Sequence, residues 1–133
     1  MILPKNIKIY GDVSWRGNCP TETVEAVTFF SFVRRQWPND IGLIATHIKN
    51  EGKRRNGQAN WDKAQGMIKG ASDIIIPGRV TFTCELKRRD HTKSKISAAQ
   101  IEYLEAAQAN GAFACVALGW EAAVEAVREW VQL

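Results

Sequence analysis

The chain's most chemically suggestive residues are Asp73, just ahead of Ile74-Ile75-Ile76, and the pair Glu85 and Lys87 twelve to fourteen positions later. Val80 to Lys87 alternates with period two, so on a strand Glu85 and Lys87 share one face with Thr81 and Thr83. Val80, Phe82, Cys84 and Leu86 then take the other face. Two acids beside a lysine can hold a divalent cation and activate water. Hydrolysis of a phosphodiester needs a nucleophilic water, positive charge against the phosphate and help for the leaving oxygen, and Mg²⁺ or Mn²⁺ on carboxylates supplies these. Mg²⁺ takes oxygen ligands and keeps several waters, so Asp73, Glu85 and the backbone carbonyl of Leu86 would suffice. Lys87 would orient or deprotonate the attacking water and offset charge. Glu-x-Lys on a strand is by itself a common surface pattern, so the elements around it carry the argument.

A helix is expected from the N-cap Thr21 to about Trp37, before Pro38. Its apolar stripe is Ala26, Phe29, Phe30, Val33 and Trp37, and Glu22, four residues before Ala26, extends it. Glu25 points about a quarter-turn away. Ile41 to Ile48 reads as a strand, Lys49 to about Asn60 as an exposed loop, and Trp61 to Lys69 as a short helix capped by Gly70. Asp73 to Pro77 is a short strand, and Pro77-Gly78 turns into the Val80 to Lys87 strand. Ser97 caps a helix with Ile101, Leu104 and Ala107 to one side, ending at Asn110-Gly111. Ala112 to Leu118 is a buried strand. Trp120 to Val131 is a final helix with Ala123, Val124, Val127 and Val131 inward.

This order predicts an α/β fold, a small, partly parallel sheet flanked by helices, with the first twenty residues as an arm around it. The Ser97 to Leu118 crossover is long enough to join parallel strands. One domain of 133 residues is expected. No apolar run spans a bilayer and the N-terminus lacks a secretory h-region, so a cytoplasmic location is expected, away from membranes. Cys19, Cys84 and Cys115 lack metal-binding spacing and read as reduced.

The net charge of +4 is unevenly placed. Six basic residues fall between Lys49 and Lys69 against two acids, and Lys87-Arg88-Arg89 through Lys95 forms a second island. Basic islands flanking carboxylates suit a polyanion that approaches a metal.

The succession of helix, strand, Gly70-Ala71-Ser72-Asp73 with its strand, Glu85-Leu86-Lys87, helix and strand resembles the PD-(D/E)XK nuclease superfamily, with a restriction-endonuclease-like αβββαβ core. Within it the chain is similar to the stand-alone VRR-NUC (virus-type replication-repair nuclease) group found in phages. The matching pieces are Thr21-Glu22, His47 to Arg54, Lys69 to Asp73, Glu85 to Lys87, Ser97-x-x-Gln100-x-x-Tyr103-Leu104, Gly111 and Gly119-Trp120. Ser72 stands where the superfamily's name has proline, a turn-shaping position that binds no metal. The resemblance implies that Asp73 and Glu85 bind metal, that Lys87 is the catalytic lysine, and that Glu22, with Glu25 as the alternative, is the first-helix acid. Gln100 would reach back to position Lys87 or a water. His47 reads as structural or a phosphate contact rather than a general base. Asn50, Lys53, Arg54 and Lys69 would contact DNA phosphates, with Arg88, Arg89, Lys93 and Lys95 doing so from the other side. Trp61 is the tryptophan placed to stack on an unpaired base.

The implied activity is Mg²⁺- or Mn²⁺-dependent cleavage of branched DNA, including four-way (Holliday) junctions, by a homodimer whose interface includes the last helix and Trp130. The rival readings are a non-catalytic DNA-binding module and a nuclease for flaps, linear duplex or RNA.

Overall fold

The computed structural model describes residues 1–49 and 57–133. Its centre is one five-stranded mixed sheet in the order β1-β5-β4-β3-β2. The strands are β1 (Lys8–Tyr10), β2 (Thr46–His47), β3 (Ile74–Ile76), β4 (Phe82–Lys87) and β5 (Phe113–Leu118). Strands β1, β5 and β4 run parallel, while β3 is antiparallel to β4 and β2 to β3. The helices are α1 (Glu22–Gln36), α2 (Ile41–Ile44), α3 (Gln58–Ala64), α4 (Ala98–Ala109) and α5 (Trp120–Trp130). Helix α4 crosses from β4 to the parallel β5, as expected.

Two layers cover the sheet. Phe82, Cys84 and Leu86 of β4 pack with Phe29 and Val33 of α1 and with Ala123, Val124 and Val127 of α5. Ala114, Val116 and Leu118 of β5 pack on the other side with Ile7 and Leu104 of α4. The period-two parity of β4 holds, yet all six of its residues are buried. The face bearing Thr83, Glu85 and Lys87 therefore has a cover, and a buried Glu and Lys require partners. Among the described residues no helix is long and apolar enough to cross a membrane.

Several elements depart from expectation. The apolar run at Ile41 opens as helix α2, because Asp40 Oδ1 accepts from the Ile41 amide and Gly42 packs its backbone against α1. A Cβ at Gly42 would lie 2.5 Å from the Trp37 carbonyl. Arg34 closes the turn by donating to the carbonyls of Gly42 and Ala45 at 2.6 and 3.2 Å. Only Thr46 and His47 remain as strand. Gly70 does not end the preceding helix, which stops at Ala64 with the left-handed Gly66 two residues on. The N-terminal residues include a sheet strand, β1, since β5 offers its free parallel edge to Lys8–Tyr10.

Helix α5 turns its apolar face inward, with Trp130 packed on Phe82 and donating Nε1–H to the Val80 carbonyl at 2.7 Å. Val131, expected inward, is exposed because α5 ends at Trp130. The apolar face of the final helix thus packs within the chain, with Trp130 partly buried at its end.

Candidate active site

The site lies where β3 and β4 separate. Their antiparallel ladder runs Ile76↔Phe82, Ile75↔Thr83 and Ile74↔Cys84, then stops. One step further, the Leu86 amide donates to Asp73 Oδ2 at 2.9 Å, so a side chain replaces the next backbone partner. On a strand the N–H and C=O of one residue point to the same side. The Lys87 carbonyl accepts from the Gly119 amide on the β5 side. The Leu86 carbonyl therefore faces the opposite side, the gap holding the Asp73 carboxylate.

Glu85 is almost fully buried, at 1% exposure. Its Oε1 accepts from Gln100 Nε2 at 2.8 Å and lies 3.4 Å from Lys87 Nζ. Its Oε2 is buried and meets no hydrogen-bond donor among the described residues. Burial, and then the neighbouring Asp73 charge, push the Glu85 carboxyl well above the usual carboxylate range. Burial raises Asp73 as well, against the lowering influence of its hydrogen bonds and of Lys87. Two confined carboxylates with one orphaned oxygen call for either a shared proton or a cation. That electrostatic demand is the observation a metal would satisfy.

Lys87 is 2% exposed. Its ammonium lies 3.4 Å from Glu85 Oε1, 3.4 Å from Gln100 Oε1 and 3.6 Å from Glu22 Oε1. Glu22 stands on the first turn of α1 and is half-exposed, with Oε2 accepting from the Ser94 hydroxyl at 3.2 Å. Among the described residues no three or more His, Cys, Asp and Glu side chains converge closely enough to hold a metal. Glu22 Oε1 faces the Lys87 ammonium from across the site.

The helical wheel misplaced the two acids of α1. Glu25 is the buried one, in line with Phe29 and Val33, while Glu22 is half-exposed. Glu25 Oε2 accepts from the Trp120 amide, which opens α5. The N-cap of α5 is Gly119, which has no side chain, and Glu25 supplies the missing acceptor from another helix. The anchor points α1 away from the reacting groups at Glu25 and leaves Glu22 beside Lys87.

Gln100 joins helix and site. Ser97 Oγ accepts from the Gln100 amide at 3.1 Å, and Gln100 Oε1 accepts from the Ser97 amide at 2.8 Å, a reciprocal capping box. The same Oε1 faces Lys87, so the remaining amide nitrogen points at Glu85. Gly70 presses against this turn with φ +86°, where a Cβ would lie 2.5 Å from the Ala99 backbone. The loop delivering Asp73 and the turn delivering Gln100 are thus in direct contact. Gln100→Glu is expected to keep the capping box, because Glu serves at that position equally well. It replaces the donor to Glu85 with another negative charge, and DNA cleavage is expected to fall about 10- to 100-fold with helix content by circular dichroism unchanged.

The gap opens into a groove of about 630 Å³ whose lining includes Glu22, Asp73 and Leu86, with Phe30, His47 and Lys49 along it. His47 Nδ1 lies 3.0 Å from the Asp73 carbonyl, a contact in which the ring nitrogen donates. The ring thus buttresses the backbone that carries Asp73.

The second basic island makes contacts within the chain. Arg88 donates to the carbonyls of Pro20 and Cys19 at 2.9 and 2.7 Å, and Lys93 to that of Gly17 at 2.8 Å. Arg89 lies 4.2 Å over the Trp15 ring. These three hold the N-terminal segment, because its turn leaves carbonyls that need donors. Lys69 and Lys95 are exposed, as is Trp61 at 69%. Asn50, Lys53 and Arg54 lie outside the described residues.

Fold and site together define a class: a mixed sheet split at its centre, with paired carboxylates, a buried lysine and a glutamine-bearing helix at the split. No family model matches the chain, and no curated protein matches its sequence. A solved structure described as a "VRR_NUC domain protein" superposes with a TM-score of 0.73 at 21% identity, covering 90% of this chain and 93% of that one. The likeness shows the fold: a five-stranded sheet flanked by helices, matched over nearly the whole chain.

Proposed function

We propose that this chain is a metal-dependent DNA endonuclease of the VRR-NUC kind that hydrolyses phosphodiesters in branched DNA. The observation that carries the reading is the confined Asp73–Glu85 pair, with its orphaned oxygen, beside the buried ammonium of Lys87. A surface role would leave these groups in water, and a purely structural role would pair them fully. The fold shared with the VRR_NUC domain protein supports the same reading.

Asp73, Glu85 and the Leu86 carbonyl would hold Mg²⁺ or Mn²⁺, the hard oxygen donors such ions prefer. When bound, the ion supplies positive charge against the phosphate and lowers the pKa of water. Lys87 brings its ammonium to the same place, to orient that water and offset charge in the transition state. Gln100 fixes the rotamer of Glu85. Glu22, across Lys87, is within reach of the reacting region through a water rather than as a direct ligand. The groove would admit the nucleic acid, and Lys69 and Lys95 remain available for its phosphates.

Branched DNA is the substrate that the resemblance to the stand-alone VRR-NUC group implies. A homodimer would present two sites to two symmetric strands, and the exposed Val27 and Leu43 of α1 and α2 are better placed for a partner surface than α5. A cytoplasmic location accords with this activity.

The test is cleavage of four-way junction, flap, single-stranded and linear duplex DNA, and of RNA, with Mg²⁺, Mn²⁺ or EDTA. Junctions are expected to be cut with either ion and to survive in EDTA. Binding without cleavage under every condition would establish the non-catalytic module instead.

A further inference from the structure

Glu22 is half-exposed on the first turn of α1, and the loop after β4 supplies a contact that orients its carboxylate. Ser94 ends the short 3₁₀ turn His91–Lys93 and is 5% exposed. Its Oγ accepts from the Arg88 amide at 3.0 Å. That bond uses one of the oxygen's two lone pairs, and its single proton goes to Glu22 Oε2, 3.2 Å away. Glu22 Oε1 is then the oxygen turned to Lys87 Nζ, at 3.6 Å.

The surroundings fix the hydroxyl from both sides. Asp90 holds the turn by accepting from the Thr92 amide and hydroxyl at 3.1 and 2.6 Å and from the Gly17 amide at 3.2 Å. The Arg88 guanidinium ties the end of β4 to the carbonyls of Cys19 and Pro20, three and two residues before Glu22. The start of α1 is therefore clamped to the end of β4 twice, once through its backbone and once through Ser94.

We infer that Ser94 is a positioning residue, whose hydroxyl aims the Glu22 carboxylate at Lys87 and so sets the lysine's place at the scissile phosphate. This rests on the nuclease reading above. Through Glu22 it would govern the rate of the chemical step and leave DNA affinity unchanged.

The experiment is a double-mutant cycle read by single-turnover cleavage, with crystal structures of metal-free wild type and Ser94→Ala. Ser94→Ala is expected to lower kcat about tenfold, the size that loss of one hydrogen bond to a charged group supplies. KM for junction DNA should change less than about twofold, and Ser94→Thr should restore the rate. In a Glu22→Ala background, Ser94→Ala should have no further effect. In the crystal of Ser94→Ala the Glu22 carboxylate should leave Lys87. Equal losses in both backgrounds, or a carboxylate that stays beside Lys87, would overturn the inference. Absence of cleavage by the wild-type protein on any DNA would sink the nuclease reading instead, while the crystal comparison would still decide whether Ser94 places Glu22.

Discussion

Asp73→Asn is expected to abolish metal-dependent cleavage while making the metal-free protein more stable. Asparagine has the same shape and keeps an oxygen for the Leu86 amide. What it removes is the charge that, with burial, raises the Glu85 carboxyl. The rate should fall at least about a thousandfold, or ~4 kcal/mol of barrier, since one carboxylate of two is lost. The stability gain follows from linkage. A carboxyl whose folded pKa lies above its unfolded value contributes fully below the unfolded value, and stability is lost as pH rises through the folded one. Both Asp73 and Glu85 are raised. Metal-free wild type should therefore lose stability from about pH 4 upward, and Asp73→Asn should be the more stable form at pH 8, by on the order of 1 kcal/mol. Mg²⁺ must displace the shared proton, so its stabilisation of wild type should grow with pH and vanish in Asp73→Asn. Thermal melts at pH 5 and 8, with Mg²⁺ and with EDTA, measure this. A metal-induced shift that persists in Asp73→Asn would place the ion elsewhere.

Lys87→Met is expected to separate metal binding from catalysis. Methionine fills the volume of the lysine stem but leaves Glu85 and Glu22 without the ammonium between them. The metal-free protein should be destabilised, as when one partner of a buried ion pair is removed, by roughly 3 kcal/mol. Mg²⁺ should still stabilise it, and by more than wild type, because the ion becomes the remaining positive charge near Glu85. Cleavage should nevertheless drop about 10³-fold, because the lysine's charge and water-orienting donor are gone. Melts with Mg²⁺ alongside cleavage rates check this pair of outcomes. Loss of both the metal shift and cleavage would make Lys87 a folding residue and nothing more.

Much of this arrangement was legible along the chain because it is local. The alternation from Val80 to Lys87 put Glu85 and Lys87 on one face, and Ser97 three residues before Gln100 marked the first turn of a helix. The apolar run before Leu118 and the crossover length defined two parallel strands. Where the reading failed, distant groups decided. Ile41–Ile44 is apolar enough for a strand, but Asp40 and Arg34 closed it into a helical turn. The α1 wheel favoured Glu22 as the inward acid, whereas the bare N-terminus of α5, some ninety residues on, drew Glu25 inside. The bonds from Arg88 and Lys93 to carbonyls of the N-terminal segment, some seventy residues away, were likewise not legible along the chain.

Strand parity, element order and the placing of the acids, lysine and glutamine can be read along the chain, because backbone periodicity and caps depend on neighbours within a turn or two. The parting of β3 and β4 at Cys84, which leaves Asp73 to take the Leu86 amide, became visible with the fold. So did the Glu85 oxygen that meets no donor among the described residues, and the hydrogen bond from Ser94 to Glu22. These depend on desolvation and on contacts between segments far apart in the chain, and such contacts leave no periodic trace in a sequence.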